Sequence, residues 1–330
     1  MQGKGLLLRS AELGVRATAR FVPATLLRRF YDFAFGGLSV AVCLHRVQAR
    51  VRRDNPIPEM SLSPATLDRF LALVGRKAVE DGRLTLAFDD GYADAVAYVA
   101  SRAPKHPRIE WLVFVCPEKI AVQAGFRWDL YAWWRRHGLL GGESLRDFMS
   151  SGLDRTGENL RPALREVARQ SAYRLASVAA CLQLAKLPNV RLGNHTNTHF
   201  NLCALETSQA EQELRCSCED FVALFGAPPE HFSFAFGSPG VHFTEAHADM
   251  LRHLGKPIMW STEGHPYLPA HRRPGVVLPR FVFERSFSAD AMVLWMALQA
   301  LRFRLRESRL ARSRRRSRVR GAGPPPLAAA

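Results

Sequence analysis

The sequence lacks an apolar run that could cross a membrane. A transmembrane helix needs about 18 or more consecutive apolar residues, and no segment of the 330-residue chain reaches that length. Near its start the chain carries only a short apolar stretch, GLLL at positions 5–8, which is too short for the core of a secretory signal peptide. We therefore expect a cytoplasmic protein, or one that lies peripherally on the cytoplasmic face of a membrane.

Cysteine is also scarce and irregularly placed. The six cysteines occupy positions 43, 116, 181, 203, 216 and 218. These spacings form neither a disulfide framework nor a thiolate zinc motif. The pair at 216 and 218 lies in a segment of helical period, where neighbours two apart point away from each other. Reduced and mostly buried thiols are expected instead.

Acidic residues are outnumbered by basic ones, and the excess is partly local. The chain has 46 lysines and arginines against 30 aspartates and glutamates, a net charge of +16. Ten arginines lie between Arg302 and Arg320, where Glu307 is the only acid. Such a block is typical of an arm that binds a polyanion, but an unstructured tail without a partner fits it equally well. We expect residues 311–330 to be a basic, disordered tail.

The N-terminal segment, residues 1–37, is predicted to form basic amphipathic helices. Two interpretations remain open: the segment lies on a membrane surface, or it packs on the domain through its apolar face. Both termini therefore suggest peripheral contact with an anionic membrane. The other basic residues are spread along the chain, so no specific binding of nucleic acid is expected.

Apolar segments of strand length alternate with segments of helical period through the middle of the chain. Predicted strands occupy residues 38–44, 84–88, 111–115, 190–192, 231–236 and 257–260. This alternation predicts an α/β fold with a mainly parallel sheet or barrel and helices outside. We expect one domain over residues 38–285, with an insertion around 116–190, and then a C-terminal helix at 286–310. In such folds functional side chains lie at the C-terminal ends of the strands.

Two short polar motifs follow predicted strands and contain metal-binding residue types. FDDG at 88–91 places the adjacent carboxylates Asp89 and Asp90 after one strand, and HTNTH at 195–199 places two histidines one helical turn apart after another. One aspartate with two histidines is a ligand set typical of catalytic zinc, and it leaves the second aspartate free to deprotonate water. Each motif is common by itself, so the prediction depends on their joint occurrence.

Five segments resemble diagnostic motifs of the polysaccharide deacetylase family, which is carbohydrate esterase family 4 with the NodB homology domain. Residues 84–91 (LTLAFDDG) and 194–199 (NHTNTH) are similar to its first and second motifs. Residues 234–240 (FAFGSPG) resemble the third motif in its exopolysaccharide deacetylase form, with alanine where proline usually stands. Residues 42–47 (VCLHRV) and 278–280 (LPR) resemble segments of the branch whose motifs are circularly permuted.

The resemblance implies a fold and a set of site residues. The fold would be a distorted (β/α) barrel with fewer than eight strands. Asp89 would be the catalytic base, and His45 would be the catalytic acid of the permuted branch. Asp90, His195 and His199 would bind a divalent metal, most consistent with Zn²⁺, with Co²⁺, Ni²⁺ or Mn²⁺ as alternatives.

Further positions are implied less directly. The late Leu-x-x-His motif of the family is not evident, so His265 and His253 are kept as alternative acids. A backbone N–H near Phe236 and Gly237 would stabilise the oxyanion. Two interpretations remain open for Arg280. It orients the base or contacts an anionic substrate, or it is a surface arginine.

The implied function is removal of the N-acetyl group from a sugar in a polysaccharide, oligosaccharide or glycoconjugate. One alternative is a deacetylase or deformylase of a lipid- or nucleotide-linked sugar at the cytoplasmic membrane face. Another is a non-catalytic carbohydrate-binding protein on the same fold. Most family relatives act outside the cytoplasm, which makes an extracytoplasmic location the family-based alternative. Residues 128–134 carry three tryptophans, Tyr131 and Asp129, and they either line a sugar-binding cleft or pack in the core.

Overall fold

The computed structural model describes residues 12–50, 55, 57–74, 79–150 and 160–321. In these residues one parallel sheet of eight strands curves until it is nearly closed into a barrel. Its hydrogen-bonded order is β10-β1-β4-β5-β6-β7-β8-β9. A separate parallel pair, β2 and β3, lies beside it. The strands are β1 (Val40–Leu44), β2 (Arg46–Val47), β3 (Ser61–Leu62), β4 (Leu84–Phe88), β5 (Glu110–Val115), β6 (Val190–Asn194), β7 (His231–Ser233), β8 (Ile258–Ser261), β9 (Val277–Pro279) and β10 (Phe281–Val282).

The segment from Val277 to Val282 brings the two ends of the sheet together. Its first half, β9, pairs with β8, and its second half, β10, pairs with β1. Arg280 stands between the two halves, where the chain crosses from one neighbour to the other. Because β9 and β10 are one pass of the chain, the eight strands come from seven passes. The expectation of a distorted, parallel (β/α) barrel with helices outside is confirmed.

Helices surround the sheet. They are α1 (Ala24–Phe35), α2 (Pro64–Leu73), α3 (Ala93–Arg102), α4 (Pro117–Val122), α5 (Arg127–Arg136), α6 (Leu145–Ser150), α7 (Arg161–Arg169), α8 (Val178–Ala185), α9 (Thr207–Phe225), α10 (Glu245–His253) and α11 (Ala289–Gly321). A further helical stretch at 12–18 precedes α1. No helix among the described residues combines the length and the apolarity that crossing a bilayer requires.

The barrel interior is filled by a mixture of small and large side chains. Alanines at 41 and 87 leave room for the fully buried rings of Phe114 and Trp260. Gly193 on β6 has the same purpose, because a Cβ atom there would collide with the Phe114 ring. Strands that are covered on both faces in this way are nearly continuous apolar runs. This explains why the strands were recognisable in the sequence.

The chain ends pack against each other on the outside of the barrel. Helix α1 buries one face, including Leu27 and Tyr31, in the main core, and α11 contributes Met292 and Met296 to the same core. The C-terminal helix was expected to end near residue 310, but α11 continues through the arginine block to Gly321. Arginine is a good helix former, so extending a packed helix through such residues costs little free energy. The backbone over residues 311–321 is therefore helical, where a disordered tail was expected. Residues 322–330 lie outside the described part of the chain.

Candidate metal and catalytic site

The residues selected from the sequence converge at the C-terminal ends of the strands. His45 follows β1, the two aspartates follow β4 and His195 follows β6. Arg280 lies between β9 and β10, where the two ends of the sheet meet. Parallel strands place all their carboxyl ends on one edge of the sheet, which is why motifs distant in sequence meet here. Of these residues, His45, Asp89 and Asp90 line a cavity of about 280 Å³.

Asp90, His195 and His199 form a compact cluster of metal-binding atoms. The Oδ1 atom of Asp90 lies 3.5 Å from Nε2 of His195 and 3.2 Å from Nε2 of His199. One ligand atom from each residue lies within 4.8 Å of the others, and all three residues are buried. Three convergent nitrogen and oxygen donors with an open side are what a catalytic divalent metal site requires.

The fit of this cluster to a metal can be tested on its spacing and its hydrogen bonds. Ligand atoms on a tetrahedral ion with bonds of about 2.0–2.2 Å are roughly 3.3–3.6 Å apart, close to the separations seen here. Oδ1 of Asp90 is buried and has no hydrogen-bond partner. Nδ1 of His195 faces the Ser233 carbonyl oxygen at 2.8 Å, which leaves Nε2 as the ligand atom. The residues therefore fit a divalent cation.

The backbone at this cluster is held in a conformation that side chains rarely adopt. Asp90, Thr196, His199 and Phe236 have φ values of +73°, +62°, +67° and +60°. They are four of the six non-glycine residues with positive φ in the described ranges. Holding a non-glycine residue in this conformation costs of order 1–3 kcal/mol, and such residues cluster at functional sites. The histidine loop is held in place by Glu213, whose Oε1 accepts hydrogen bonds from the backbone N–H and the hydroxyl of Thr198 at 2.7 and 2.9 Å.

Asp89 lies beside the metal-binding cluster, with its Oδ2 atom 3.6 Å from Nε2 of His195, and pairs with a buried arginine. Arg280 donates to both carboxylate oxygens of Asp89, with Nη1–Oδ1 at 2.7 Å and Nη2–Oδ2 at 2.9 Å. Its side chain is 0% exposed, so Arg280 is not a surface arginine. Burial by itself would raise the pKa of Asp89, but Arg280 and then His195 outweigh it and hold that pKa below its usual range. Asp89 is therefore kept ionised.

His45 is the predicted acid that the structure brings to the cavity. A ring nitrogen of His45 lies within 4.8 Å of a carboxylate oxygen of Asp89 and of the Cys43 thiol, and Nδ1 is buried without a hydrogen-bond partner. The alternative acids lie elsewhere. His253 is exposed at the end of α10, and the ring of His265 stacks on Phe303 at 5.8 Å. Neither of these two lines the cavity.

A histidine that the sequence analysis did not select, His242, lines the same cavity. Its Nδ1 accepts the Ser238 N–H at 3.1 Å, so the proton of the neutral ring is assigned to Nε2. Burial lowers the pKa of His242. Its position just after the glycine-rich loop at 237–240 was the one signal that could have identified it.

The third motif forms one rim of the cavity. The Phe236 side chain is 42% exposed, and its ring meets the His199 ring edge-on at 4.8 Å. Gly237 has a φ of +71°, and a Cβ atom there would lie 2.6 Å from Cγ2 of Thr262. The Gly237 N–H already donates to the Ala235 carbonyl at 2.7 Å. Of the two predicted backbone donors, the Gly237 N–H is thus already used within the loop.

Comparison with solved structures supplies the decisive observation about the fold. The deacetylase PplD from Streptococcus pyogenes, solved with acetate, superposes with a TM-score of 0.52 at 11% identity, covering 78% of this chain and 98% of that one. A polysaccharide deacetylase from Bacillus cereus has a TM-score of 0.50 at 11% identity, covering 78% and 68%. The chain has a polysaccharide deacetylase fold. No family model and no curated protein sequence matches it.

Within this deacetylase fold, the segment around 128–134 divides between cavity and core. Trp128 and Asp129 line the cavity, and the Trp128 ring meets the His199 ring edge-on at 4.8 Å. Tyr131, Trp133 and Trp134 instead pack in or against a small separate core between α5, α6 and α7. The core interpretation is therefore confirmed for Tyr131, Trp133 and Trp134, and sugar binding by the cavity that Trp128 and Asp129 line stays a prediction.

A polar network that the sequence analysis missed supports the wall next to Trp128. The Tyr92 hydroxyl accepts the Trp128 Nε1–H at 2.8 Å and donates to Oδ2 of Asp129 at 2.8 Å. The guanidinium of Arg46 lies 4.1 Å from the centre of the Tyr92 ring. Burial raises the pKa of Asp129 to about 7, against the opposing effect of Arg46. Tyr92 immediately follows the FDDG motif, but nothing in the local pattern indicated its partners.

Proposed function

We propose that this protein is a metal-dependent deacetylase that hydrolyses the N-acetyl group of an N-acetylated sugar. The observation that carries the proposal is the pairing of two assemblies in one cavity. A three-residue metal-binding cluster stands beside a carboxylate that is held ionised by Arg280. The polysaccharide deacetylase fold supports the same conclusion. The active form of the protein would be a hydrolase of linear amide bonds.

Asp90, His195 and His199 are the residues that would hold the metal. One carboxylate and two imidazoles suit Zn²⁺, and Co²⁺, Ni²⁺ or Mn²⁺ accept the same donor types. A divalent ion bound there would polarise the acetyl carbonyl group and make a water molecule easier to deprotonate. The Ser233 carbonyl, which fixes the ring of His195, would keep that ligand in its required orientation.

Asp89 is the proposed general base. It removes a proton from the attacking water, and the resulting hydroxide adds to the carbonyl carbon of the acetyl group. Arg280 holds the carboxylate in one orientation through two hydrogen bonds, so little reorganisation is needed when the proton is transferred. The proton is accepted by the Asp89 carboxylate, whose negative charge is compensated by Arg280.

The later steps use groups on the other sides of the cavity. The Phe236 N–H would stabilise negative charge on the former carbonyl oxygen. His45 would protonate the departing nitrogen, after which the C–N bond breaks and acetate and a free amine are released. A histidine suits this step because its ordinary pKa lies near neutral pH. His45 is preferred to His242 because its ring nitrogen lies close to Asp89.

The cavity limits the substrate to a small group. Its volume of about 280 Å³ lies just below the usual range for ligand pockets, which begins at about 300 Å³. One sugar ring with its acetyl group is a suitable occupant, and Trp128 lines the cavity beside His199. Longer chains would extend over the rim formed by Phe236.

The metal assignment is tested by elemental analysis of the purified protein and of His195→Ala. We expect about one divalent ion per wild-type chain and a large loss of it in the variant, since one of three protein ligands is removed. His253→Ala, in an exposed histidine outside the cavity, is the matched control and should keep its metal. Equal metal content in all three proteins would contradict the assignment.

The activity is tested by acetate release from N-acetylglucosamine oligomers, sugar nucleotides and lipid-linked sugars, with formate release measured in parallel. We expect His45→Ala to lower kcat by about 10²–10⁴-fold, and His242→Ala to have a smaller effect. Binding of sugars without any hydrolysis by the metal-loaded protein would favour a carbohydrate-binding function and overturn the proposal.

A further inference from the structure

Exposed apolar side chains are concentrated near the two ends of the chain. Twelve large apolar side chains are exposed in the described residues, and six of them lie between 13 and 33 or between 305 and 310. These six are Leu13, Phe21, Leu26, Phe33, Leu305 and Leu310. Phe21 and Phe33 are 75% and 69% exposed. Single exposed apolar residues are ordinary, whereas a group of them indicates an interaction surface.

Helix α1 has apolar side chains on two faces, and only one of these faces is buried in the core. Its inner face buries Leu27, Tyr31 and two neighbours. Leu26 and Phe33, seven residues apart and so on one face of the helix, point outward and are 53% and 69% exposed. Packing against the barrel therefore explains one apolar face of this helix and leaves the other without a partner in the described chain.

The two groups of exposed residues belong to one surface. Helices α1 and α11 pack side by side. At one end the guanidinium of Arg16 lies 4.2 Å from the centre of the Phe287 ring, and at the other Arg304 donates to the carbonyl of Gly36. Phe33 and Leu305 each lie within one turn of that second contact, which brings these two outward residues close together. We call these six residues and the exposed arginines around them the terminal patch.

The charge of the terminal patch is strongly one-sided. The exposed arginines are Arg20, Arg28, Arg29, Arg302, Arg306, Arg309 and Arg312. The described acids in the same segments, Glu12, Asp32 and Glu307, are all half-buried. Arg20 also covers the Phe21 ring, at 4.7 Å from its centre. The sequence adds five more arginines between 313 and 320, along the backbone of the same helix.

We propose that the terminal patch docks the protein on an anionic phospholipid bilayer. Its arginines match the negative headgroups, and its phenylalanines and leucines match the boundary between headgroups and acyl chains. A nucleic acid would use the arginines but would gain little from exposed leucines, whose side chains make no phosphate contacts. The combination of the two side-chain types therefore favours a membrane. This inference does not depend on the catalytic proposal.

The test is co-sedimentation of the full-length protein with vesicles. We expect binding to vesicles of equal parts phosphatidylglycerol and phosphatidylcholine, and much weaker binding to phosphatidylcholine alone. Phe21→Ser combined with Phe33→Ser should lower the partition coefficient at least tenfold, because each phenylalanine contributes by burying apolar area. The matched control is Leu139→Ser with Leu182→Ser, which replaces exposed apolar residues elsewhere on the protein and should bind like the wild type.

The electrostatic part is tested separately. Arg302→Gln and Arg306→Gln should each weaken binding about fivefold, the effect expected for one arginine at an anionic surface, and salt should weaken it further. If the double phenylalanine variant binds vesicles like the wild type, or if duplex DNA competes for all of the binding, the patch is a general polyanion site and the proposal is overturned. Thermal unfolding of each variant would separate lost binding from lost folding.

Discussion

Arg280 at the site and the arginines of the terminal patch differ in almost every physical respect. Arg280 is 0% exposed, makes two short hydrogen bonds to one carboxylate and is further held by Ser233 and Ser261. Arginines such as Arg306 and Arg309 are exposed on a helix with few acids near them. The first is a single charge whose position is fixed, and the others form a diffuse field.

Burial changes how an arginine side chain interacts with its surroundings. A buried guanidinium has lost its hydration and must recover that free energy from its partners, so geometry decides its effect. An exposed guanidinium keeps its hydration, interacts weakly with any one partner and is screened by salt. We therefore expect mutations at the site to have large and specific effects, and mutations in the patch to have small and additive ones.

The largest effect is expected at the carboxylate that Arg280 holds. Asp89→Asn removes the base and should lower kcat by about 10²–10⁴-fold, while the metal content stays the same because Asp89 is not a proposed ligand. Acetate release and elemental analysis of the same preparation measure both quantities. Asp249→Asn, in an exposed aspartate on α10, is the control. Loss of metal from Asp89→Asn would contradict the separation of base and ligand.

Replacing Arg280 tests the other residue of the Asp89–Arg280 pair. Arg280→Met leaves Asp89 buried without a compensating charge and should destabilise the protein by about 3–5 kcal/mol, measured by urea unfolding. Because Arg280 holds the pKa of Asp89 below its usual range, its removal should raise that pKa. The acid limb of the pH profile of kcat/KM would then move to higher pH.

Arg280→Lys sharpens this test, because lysine keeps the charge but cannot make both hydrogen bonds. It should shift the acid limb less than Arg280→Met does. An unchanged pH profile in both variants would mean that Arg280 has only a structural function.

A smaller effect is expected in the network beside the cavity. Tyr92→Phe removes one of two donors to Oδ2 of Asp129, which still accepts the Phe126 N–H, and it removes the acceptor of the Trp128 Nε1–H. Leaving this buried indole N–H unpaired should cost about 1–3 kcal/mol. Tyr98→Phe is the matched control, because its hydroxyl donates to Asp68, which still accepts from Arg102. Urea unfolding of both variants compares them. Equal losses would show that the cavity wall does not depend on this network.

The smallest effect on stability is expected in the terminal patch. Arg306→Gln should change the free energy of unfolding by less than about 0.5 kcal/mol, as is usual for a surface substitution, and should leave acetate release unaltered. The same urea titration used for Arg280→Met provides the direct comparison. A loss of several kcal/mol would show that Arg306 has a fixed partner, and the distinction between the two regions would fail.

The extent to which the site could be predicted varies from residue to residue. Asp89 and Asp90 could be predicted because they directly follow an apolar run that ends at Phe88, and a short apolar run followed by a turn residue indicates a buried strand. Strand β7 was predicted to reach Phe236 but ends at Ser233. The apolar pattern continues past Ser233, so it predicted a longer strand. The backbone instead turns to a φ of +60° at Phe236, and no local sequence pattern indicates this turn.

The sequence by itself determined the alternation of strands and helices, and with it the edge of the sheet at which the aspartates and histidines must lie. Only the tertiary structure decided which groups face each other there. It paired Arg280 with Asp89, brought His242 to the cavity and placed His253 and His265 away from it. It also showed that α1 exposes a second apolar face. Periodicity is a property of neighbours along the chain, whereas these contacts join residues up to 191 positions apart, so they depend on how the barrel closes.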